Sequence, residues 1–318
     1  MSFPDKVINL QNNFITMNKW SLGLLLVFTS IISAGQEKHS TEKTLLWQIS
    51  GNGLEKPSYL FGTIHMICSD DAVLSDSLIN IIKNTEQVYF EVDMDNLFEM
   101  LGVIKKMKMR GDTTLEDLLS SEDYKKVKNY FEDRPTLLPF SDLQTYKPLL
   151  AASLLMEPSS NCSSAQAMEE VIMKEAKSHM KKIKGLETMA YQLSIFDTIP
   201  YKLQAEQLVK YVDAVNNKKE DSKEFEKLME AYKEQDLDKL EAFTKSTDLG
   251  ISSFTDILLY NRNRNWVEKL KDILPDHSML IAVGAGHLPG DKGLINLLRQ
   301  AGYTVRPVKN RIRKANEI

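Results

Sequence analysis

The stretch Ser58-Tyr-Leu-Phe-Gly-Thr-Ile-His65, read beside Ser278-Met-Leu-Ile-Ala-Val-Gly-Ala-Gly-His287, decides how this chain is organised. Each is a short apolar run leading into a glycine three residues ahead of a histidine, as Gly62-Thr-Ile-His65 and Gly284-Ala-Gly-His287. Such runs predict short buried strands. Glycine at a strand exit lets the backbone turn sharply or pass close to another group. A histidine just beyond it sits where ligand sites of α/β sheets lie, outside the carboxyl ends of the strands. One Gly-x-x-His arises readily by chance. Two on strand exits at opposite ends of the chain point to one shared site.

Outward from these strands, Leu45 to Ser50 has strand character and Gly51-Asn-Gly53 is a turn signal, so a hairpin delivers His65. Ala72 to Asn84 has helical periodicity, with Leu74, Leu78, Ile81 and Ile82 on one face. Gln87 to Asp93 reads as a strand carrying Glu91 near its end, and Lys182 to Glu187 as another, with Glu187 beside a helix start at Thr188. Helical patterns fill most of residues 97–275. They include a capping box at Thr113-Thr-Leu-Glu116, a helix over Ala165 to Met180, and a long helix from Ser253 to Leu274 bearing Arg262, Asn263, Arg264 and Trp266. A strand over Tyr303 to Val308 closes the chain. The expected fold is α/β, or mixed α+β: a central mixed sheet built from both chain ends with a large helical insertion at about 97–275, within a single domain over residues 36–318.

Composition excludes some functions. The chain has 318 residues, 42% hydrophobic and 26% charged, with net charge −4, so no basic footprint suggests nucleic acid. Residues 1–35 read as an N-terminal extension and secretory signal. Met17-Asn-Lys19 is a basic start, Trp20 to Ile32 an apolar run, and Ser33-Ala-Gly35 a small-residue cleavage site. Export to a periplasmic or extracellular compartment follows. The apolar run is short for a membrane span, so an uncleaved signal is the expected route to a membrane, if there is one. In an exported chain Cys68 and Cys162 are a candidate disulfide, which would pin the loop behind His65. Two cysteines alone leave the pairing open.

The residues suit hydrolytic chemistry. His65, His287 and one of Glu91 or Glu187 would make a two-histidine, one-carboxylate set for zinc or a similar divalent ion. The other glutamate would then act as general base on a metal-bound water, whose pKa falls towards about 7. Arg262 would stabilise an oxyanion or grip a substrate carboxylate. Structural readings stand beside these. A strand-end histidine is often only hydrogen-bonded, Glu91 or Glu187 would serve as a helix cap, and Arg262 would salt-bridge a neighbouring helix. His39, His179 and His277 read as surface residues. The chain has no Gly-x-Ser-x-Gly elbow, His-Glu-x-x-His helix or Walker loop.

At these positions the sequence resembles the TraB/GumN family, which includes pheromone-shutdown proteins and the TIKI extracellular proteases. The matching blocks are Phe61-Gly-Thr-Ile-His65, Tyr89-Phe-Glu-Val-Asp93, and Gly185-Leu-Glu-Thr188 with Gln192. Arg262-Asn263 with Trp266, Val283-Gly-Ala-Gly-His-Leu-Pro-Gly290 and Gly302-Tyr-Thr-Val305 complete the set. They span about residues 45–308. The resemblance implies a fold similar to the erythromycin-esterase-like and ChaN-like proteins. For the TIKI branch it implies a divalent-metal-dependent protease, with manganese or cobalt as the ions. It carries site roles onto His65, Glu91, Glu187, Arg262 and His287. The expectation is therefore an exported, metal-dependent hydrolase of peptide or protein substrates. A non-catalytic peptide or haem binder and a metal-free histidine hydrolase are the alternatives, because related folds support all three.

Overall fold

The computed structural model describes residues 43–134, 138–153, 162, 164–217, 221–246 and 254–312. The expected signal segment and His39 lie outside them. Among the described residues the strands are β1 (Leu46–Ser50), β2 (Ser58–Thr63), β3 (Ile67–Cys68), β4 (Gln87–Val92), β5 (Ala165–Gln166), β6 (Lys182–Glu187), β7 (Met279–Gly284) and β8 (Thr304–Pro307). Six form one sheet in the order β6-β4-β7-β2-β1-β8, and β3 pairs separately with β5. β6, β4, β7 and β2 run parallel, while β1 is antiparallel to both β2 and β8. The fold is thus mixed α/β with a sheet drawn from both chain ends.

The local signals explain the elements. Gly51, Asn52 and Gly53 adopt positive φ of 76°, 49° and 83°, which reverses the chain between β1 and β2. Ser75 caps helix Asp76–Asn84 through a hydrogen bond from the Leu78 N–H, and Leu78, Ile81 and Ile82 are buried. The expected capping box forms one residue later, on Thr114 and Asp117. The helix expected from Ala165 starts instead at Met168, because Ala165 and Gln166 pair with β3. β5 and β6 therefore interrupt the otherwise helical stretch between residues 97 and 275. Cys68 and Cys162 are joined by a disulfide with a Cα–Cα distance of 5.5 Å, tying the loop behind His65 to the β5 segment.

Burial follows the pleat. From Met279 to Val283, β7 is wholly buried, a continuous apolar run covered on both faces. Met279, Ile281 and Val283 join Leu60, Tyr89 and Leu186 against Trp266, Val267 and Leu270 of helix Asn261–Ile273. Leu280 and Ala282 join Phe61, Val88 and Phe90 against helices Asp76–Asn84 and Met168–Ser178. A third apolar cluster, including Val127, Phe131, Leu143 and Leu208, sits among the helices of the insertion.

At the β4–β6 edge, Gly185 lets two backbones approach closely. A Cβ there would lie 2.6 Å from the Asp93 N and 2.8 Å from the Glu187 O. Both are backbone atoms and cannot swing aside. Gly185→Ala is expected to lower stability by about 1–3 kcal/mol, as overpacking does. Urea unfolding checks this; an unchanged midpoint would mean the strands separate freely.

Candidate active site

β4 and β7 pair only from Gln87–Met279 to Tyr89–Ile281 and then diverge. Glu91 fills the opening, where its Oε1 accepts the Gly284 N–H at 2.9 Å. The strand period puts Glu91 on the same face as Tyr89, towards helix Asn261–Ile273. That helix follows a π turn at Asp256–Tyr260, a feature that often marks functional sites. Its Arg262, Asn263 and Trp266 are buried.

Arg262 is the centre of the cluster. Nη2 donates to Glu91 Oε2 at 2.5 Å and to Glu187 Oε1 at 2.7 Å, and Nε donates to Glu187 Oε1 at 3.0 Å. Nη1 donates to the Leu258 carbonyl at 2.9 Å and lies 3.3 Å from His287 Nε2. All the guanidinium donors are therefore committed within the protein. Here Arg262 organises the site rather than offering a free donor to an oxyanion. Trp266 Nε1 donates to Glu187 Oε2 at 2.9 Å, and Gln192 Nε2 donates to Glu91 Oε2 at 3.1 Å.

His287 is held in one tautomer. Asn263 Nδ2 donates to the backbone carbonyls of His287 and Lys292, at 3.3 and 2.9 Å, which orients the amide. Asn263 Oδ1 then accepts from His287 Nδ1 at 2.6 Å, leaving the Nε2 lone pair towards Arg262. The Trp266 ring packs beside it, with centroids 4.5 Å apart. Burial pushes the imidazole down to about 4, with Arg262 adding to the effect and Glu91 opposing it. Burial also opposes charge on Glu91, but the neighbouring His287, Arg262 and His65 outweigh it and hold its carboxyl near 2. Since His287 is uncharged at neutral pH, Arg262 supplies most of that attraction there. Burial raises Glu187 despite the Arg262 and Trp266 hydrogen bonds. It accepts only from donors, the bonding of a carboxylate.

These pKa values set a pH prediction. His287 falls from 6.5 to about 4 on folding, so its contribution is complete above 6.5 and is lost as pH falls towards 4. The loss is on the order of 3 kcal/mol. Denaturant unfolding between pH 7 and 4 measures it, and His287→Gln should flatten that slope. An equal slope in the variant would remove His287 as the cause.

His65 stands apart from the Arg262 cluster. Its Nδ1 lies 2.9 Å from Glu169 Oε1, and that oxygen also accepts from Thr63 Oγ1 at 2.6 Å. The His65 side chain is 75% exposed, whereas that of Glu169 is 7% exposed. The hydrogen bond to Glu169, with the charge of that carboxylate, raises His65 to about 9. Burial works against the Glu169 charge, but His65 and Thr63 more than compensate and lower its pKa. The imidazole lines a cleft of about 420 Å³ with Glu91, Glu169 and Gln192; Met94, Met100, Met107, Met189 and Leu193 supply apolar wall. A larger cleft of about 1350 Å³, between the Asp70–Leu78 segment and Lys309–Ile312, contains none of the strand-end residues.

The structure thus brings Glu91, Glu187, Arg262 and His287 into direct contact, and puts His65 on the cleft that Glu91 also lines. His179 and His277 pair with Glu175 and Glu86, at 3.0 and 2.9 Å. Sequence reading missed Glu169. Its signal was an acidic residue on the apolar face of helix Met168–Ser178, alongside Met168, Ile172 and Ala176. As arranged, the donors do not suit a divalent ion. Both glutamates and His287 Nε2 face the guanidinium cation, and among the described residues no three His, Cys, Asp or Glu side chains are grouped so as to hold a metal ion.

The TraB/PrgY/gumN family pattern matches residues 45–307. The chain belongs to this family. The TraB/PrgY/gumN span takes in every residue of the cluster and the cleft. The chain is 23% identical to the uncharacterized protein YbaP of Shigella flexneri, over 87% of this chain and 100% of that one. It is 22% identical to metalloprotease TIKI1 of Xenopus tropicalis, over 85% of this chain and 62% of TIKI1. No solved structure matches it.

Proposed function

We propose that this TraB/PrgY/gumN protein is a hydrolase, acting on peptide bonds in the cleft lined by His65, Glu91 and Glu169. The observation that carries the reading is the His65–Glu169 pair at 2.9 Å, an exposed imidazole oriented by a buried carboxylate on a cleft also lined by Glu91. A carboxylate-held histidine is a common proton-transfer group in hydrolysis. With its pKa near 9, His65 is charged at neutral pH and acts first as an acid. Water first adds to the carbonyl carbon and forms the C–O bond of a tetrahedral intermediate. His65 then gives its proton to the nitrogen as the C–N bond breaks, and the imidazole regains a proton from the hydroxyl of the acid that is left. Glu91, held near 2, is a weak base and serves to position that water. Arg262 keeps Glu91 and Glu187 charged and in place.

A metal-dependent reaction is the second reading, favoured by the name of the relative TIKI1. Manganese, cobalt or zinc would bind His65, His287 and Glu91, and Arg262 would have to withdraw from the carboxylates. Export belongs to the same proposal, and the Cys68–Cys162 disulfide supports an oxidising compartment. N-terminal sequencing of the mature chain should start near Gln36; a start at Met17 would count against cleavage.

The deciding experiment is cleavage of a broad peptide library by the wild type and His65→Ala, each with and without EDTA. Turnover that resists EDTA and vanishes in the variant is the expected result. Turnover that EDTA abolishes and added manganese, cobalt or zinc restores selects the second reading. Saturable peptide binding without turnover would overturn both.

A further inference from the structure

Helix Leu97–Val103 carries its apolar side chains outward. Leu97, Phe98, Met100 and Leu101 are 63%, 90%, 44% and 59% exposed, and Ile104, opening the next turn, is 47% exposed. At the helical period Leu97, Phe98, Leu101 and Ile104 share one face, while Glu99 and Val103 lie on the other. That second face is fixed to the protein. Val103 is buried, and Glu99 Oε1 accepts the Met189 N–H at 2.6 Å at the start of helix Met189–Ile195. The outward direction of the apolar face is therefore built in, the reverse of an ordinary surface helix.

Basic side chains border this ridge. Lys105, Lys106, Lys108 and Arg110 follow within one short segment, and all are exposed. Arg110 is drawn to Asp197 at 2.9 Å, which leaves the lysines as the charged rim. An exposed apolar face edged by lysines is the pattern of a segment lying in the interface of an anionic bilayer. Apolar side chains enter the acyl boundary, and the cations meet phosphate headgroups. The same rim disfavours a second copy of the chain, since two basic edges would repel. Met100, Val103 and Met107 also line the His65 cleft, so the ridge lies at the cleft wall.

We infer that the segment Leu97–Arg110 docks the protein on an anionic phospholipid surface and holds the His65 cleft beside the headgroups. The docking is independent of whether the cleft hydrolyses anything. It is also distinct from any anchoring by the N-terminal apolar run, so the test must report on the ridge itself.

The native cysteines are joined to each other, so a fluorophore on full-length Leu101→Cys labels that position alone. Its quenching by iodide is followed while vesicles are added, with a label at Lys125→Cys on helix Ser121–Glu132 as reference. Phosphatidylglycerol-containing vesicles should shield the label at position 101 several-fold and leave the one at position 125 unchanged. In the Leu101→Cys background, Lys105→Gln, Lys106→Gln and Lys108→Gln together should weaken vesicle binding on the order of 100-fold, about fivefold per positive charge removed. Equal iodide access at both positions would overturn the inference. So would equal shielding by neutral phosphatidylcholine vesicles. Shielding without vesicles that grows with protein concentration would also overturn it, in favour of a second copy.

Discussion

Replacing Arg262 with methionine is expected to lower stability by about 3–5 kcal/mol and the melting temperature by roughly 10 °C. The guanidinium bonds Glu91 at 2.5 Å and Glu187 at 2.7 Å, in a site where its own side chain is 8% exposed. Removing it strands two carboxylates in low dielectric with no cation between them. Lysine should not substitute, because a single ammonium cannot reach both carboxylates, His287 and the Leu258 carbonyl together. Arg262 also lies over the Trp266 ring, 4.6 Å from its centroid, and that stacking would go with it. The cause can be separated from lost packing. In an Arg262→Met chain, adding Glu91→Gln and Glu187→Gln removes the stranded charges and should recover a large part of the loss. Thermal and urea unfolding of the single and triple variants decides the matter. A single variant within about 1 kcal/mol of wild type would mean that water reaches the cluster and screens it.

The second large effect is on turnover. His65→Ala should lower kcat by about 10²–10⁴-fold, the usual contribution of a positioned acid–base group. Stability near neutral pH should change little, because the imidazole is mostly exposed. Glu169→Gln gives the finer test. Glutamine keeps a side-chain hydrogen-bond acceptor but removes the charge that raises His65 to about 9. If His65 works as an acid, activity is present below its folded pKa and lost as pH rises through about 9. The Glu169→Gln variant should move that alkaline limb towards 6.5, the ordinary histidine value. A purely structural role for Glu169 would lower activity at every pH and leave the limb in place. Because the imidazole is mostly exposed, solvent screening keeps small the stability that goes with its raised pKa, and that small part fades as pH rises through about 9.

Much of this was legible in the chain itself. Apolar runs ending in Gly-x-x-His located β2 and β7, and the strand reading around Glu91 and Glu187 located β4 and β6. The helical pattern from Ser253 to Leu274 placed Arg262, Asn263 and Trp266 on one element. These are local properties: a period of two or 3.6 says which side of an element is apolar. It does not say which partner covers that side. Only the tertiary structure decided that β7, made near the end of the chain, lies between β2 and β4, because pairing over such distances is settled by packing of both sheet faces. Only it gave His65 a buried carboxylate partner: of the three glutamates on helix Met168–Ser178, Glu169 lies on the apolar face, but that position does not say which group it meets. And only it committed the donors of Arg262 to neighbouring groups, which turned an expected oxyanion donor into the charge that holds the site together.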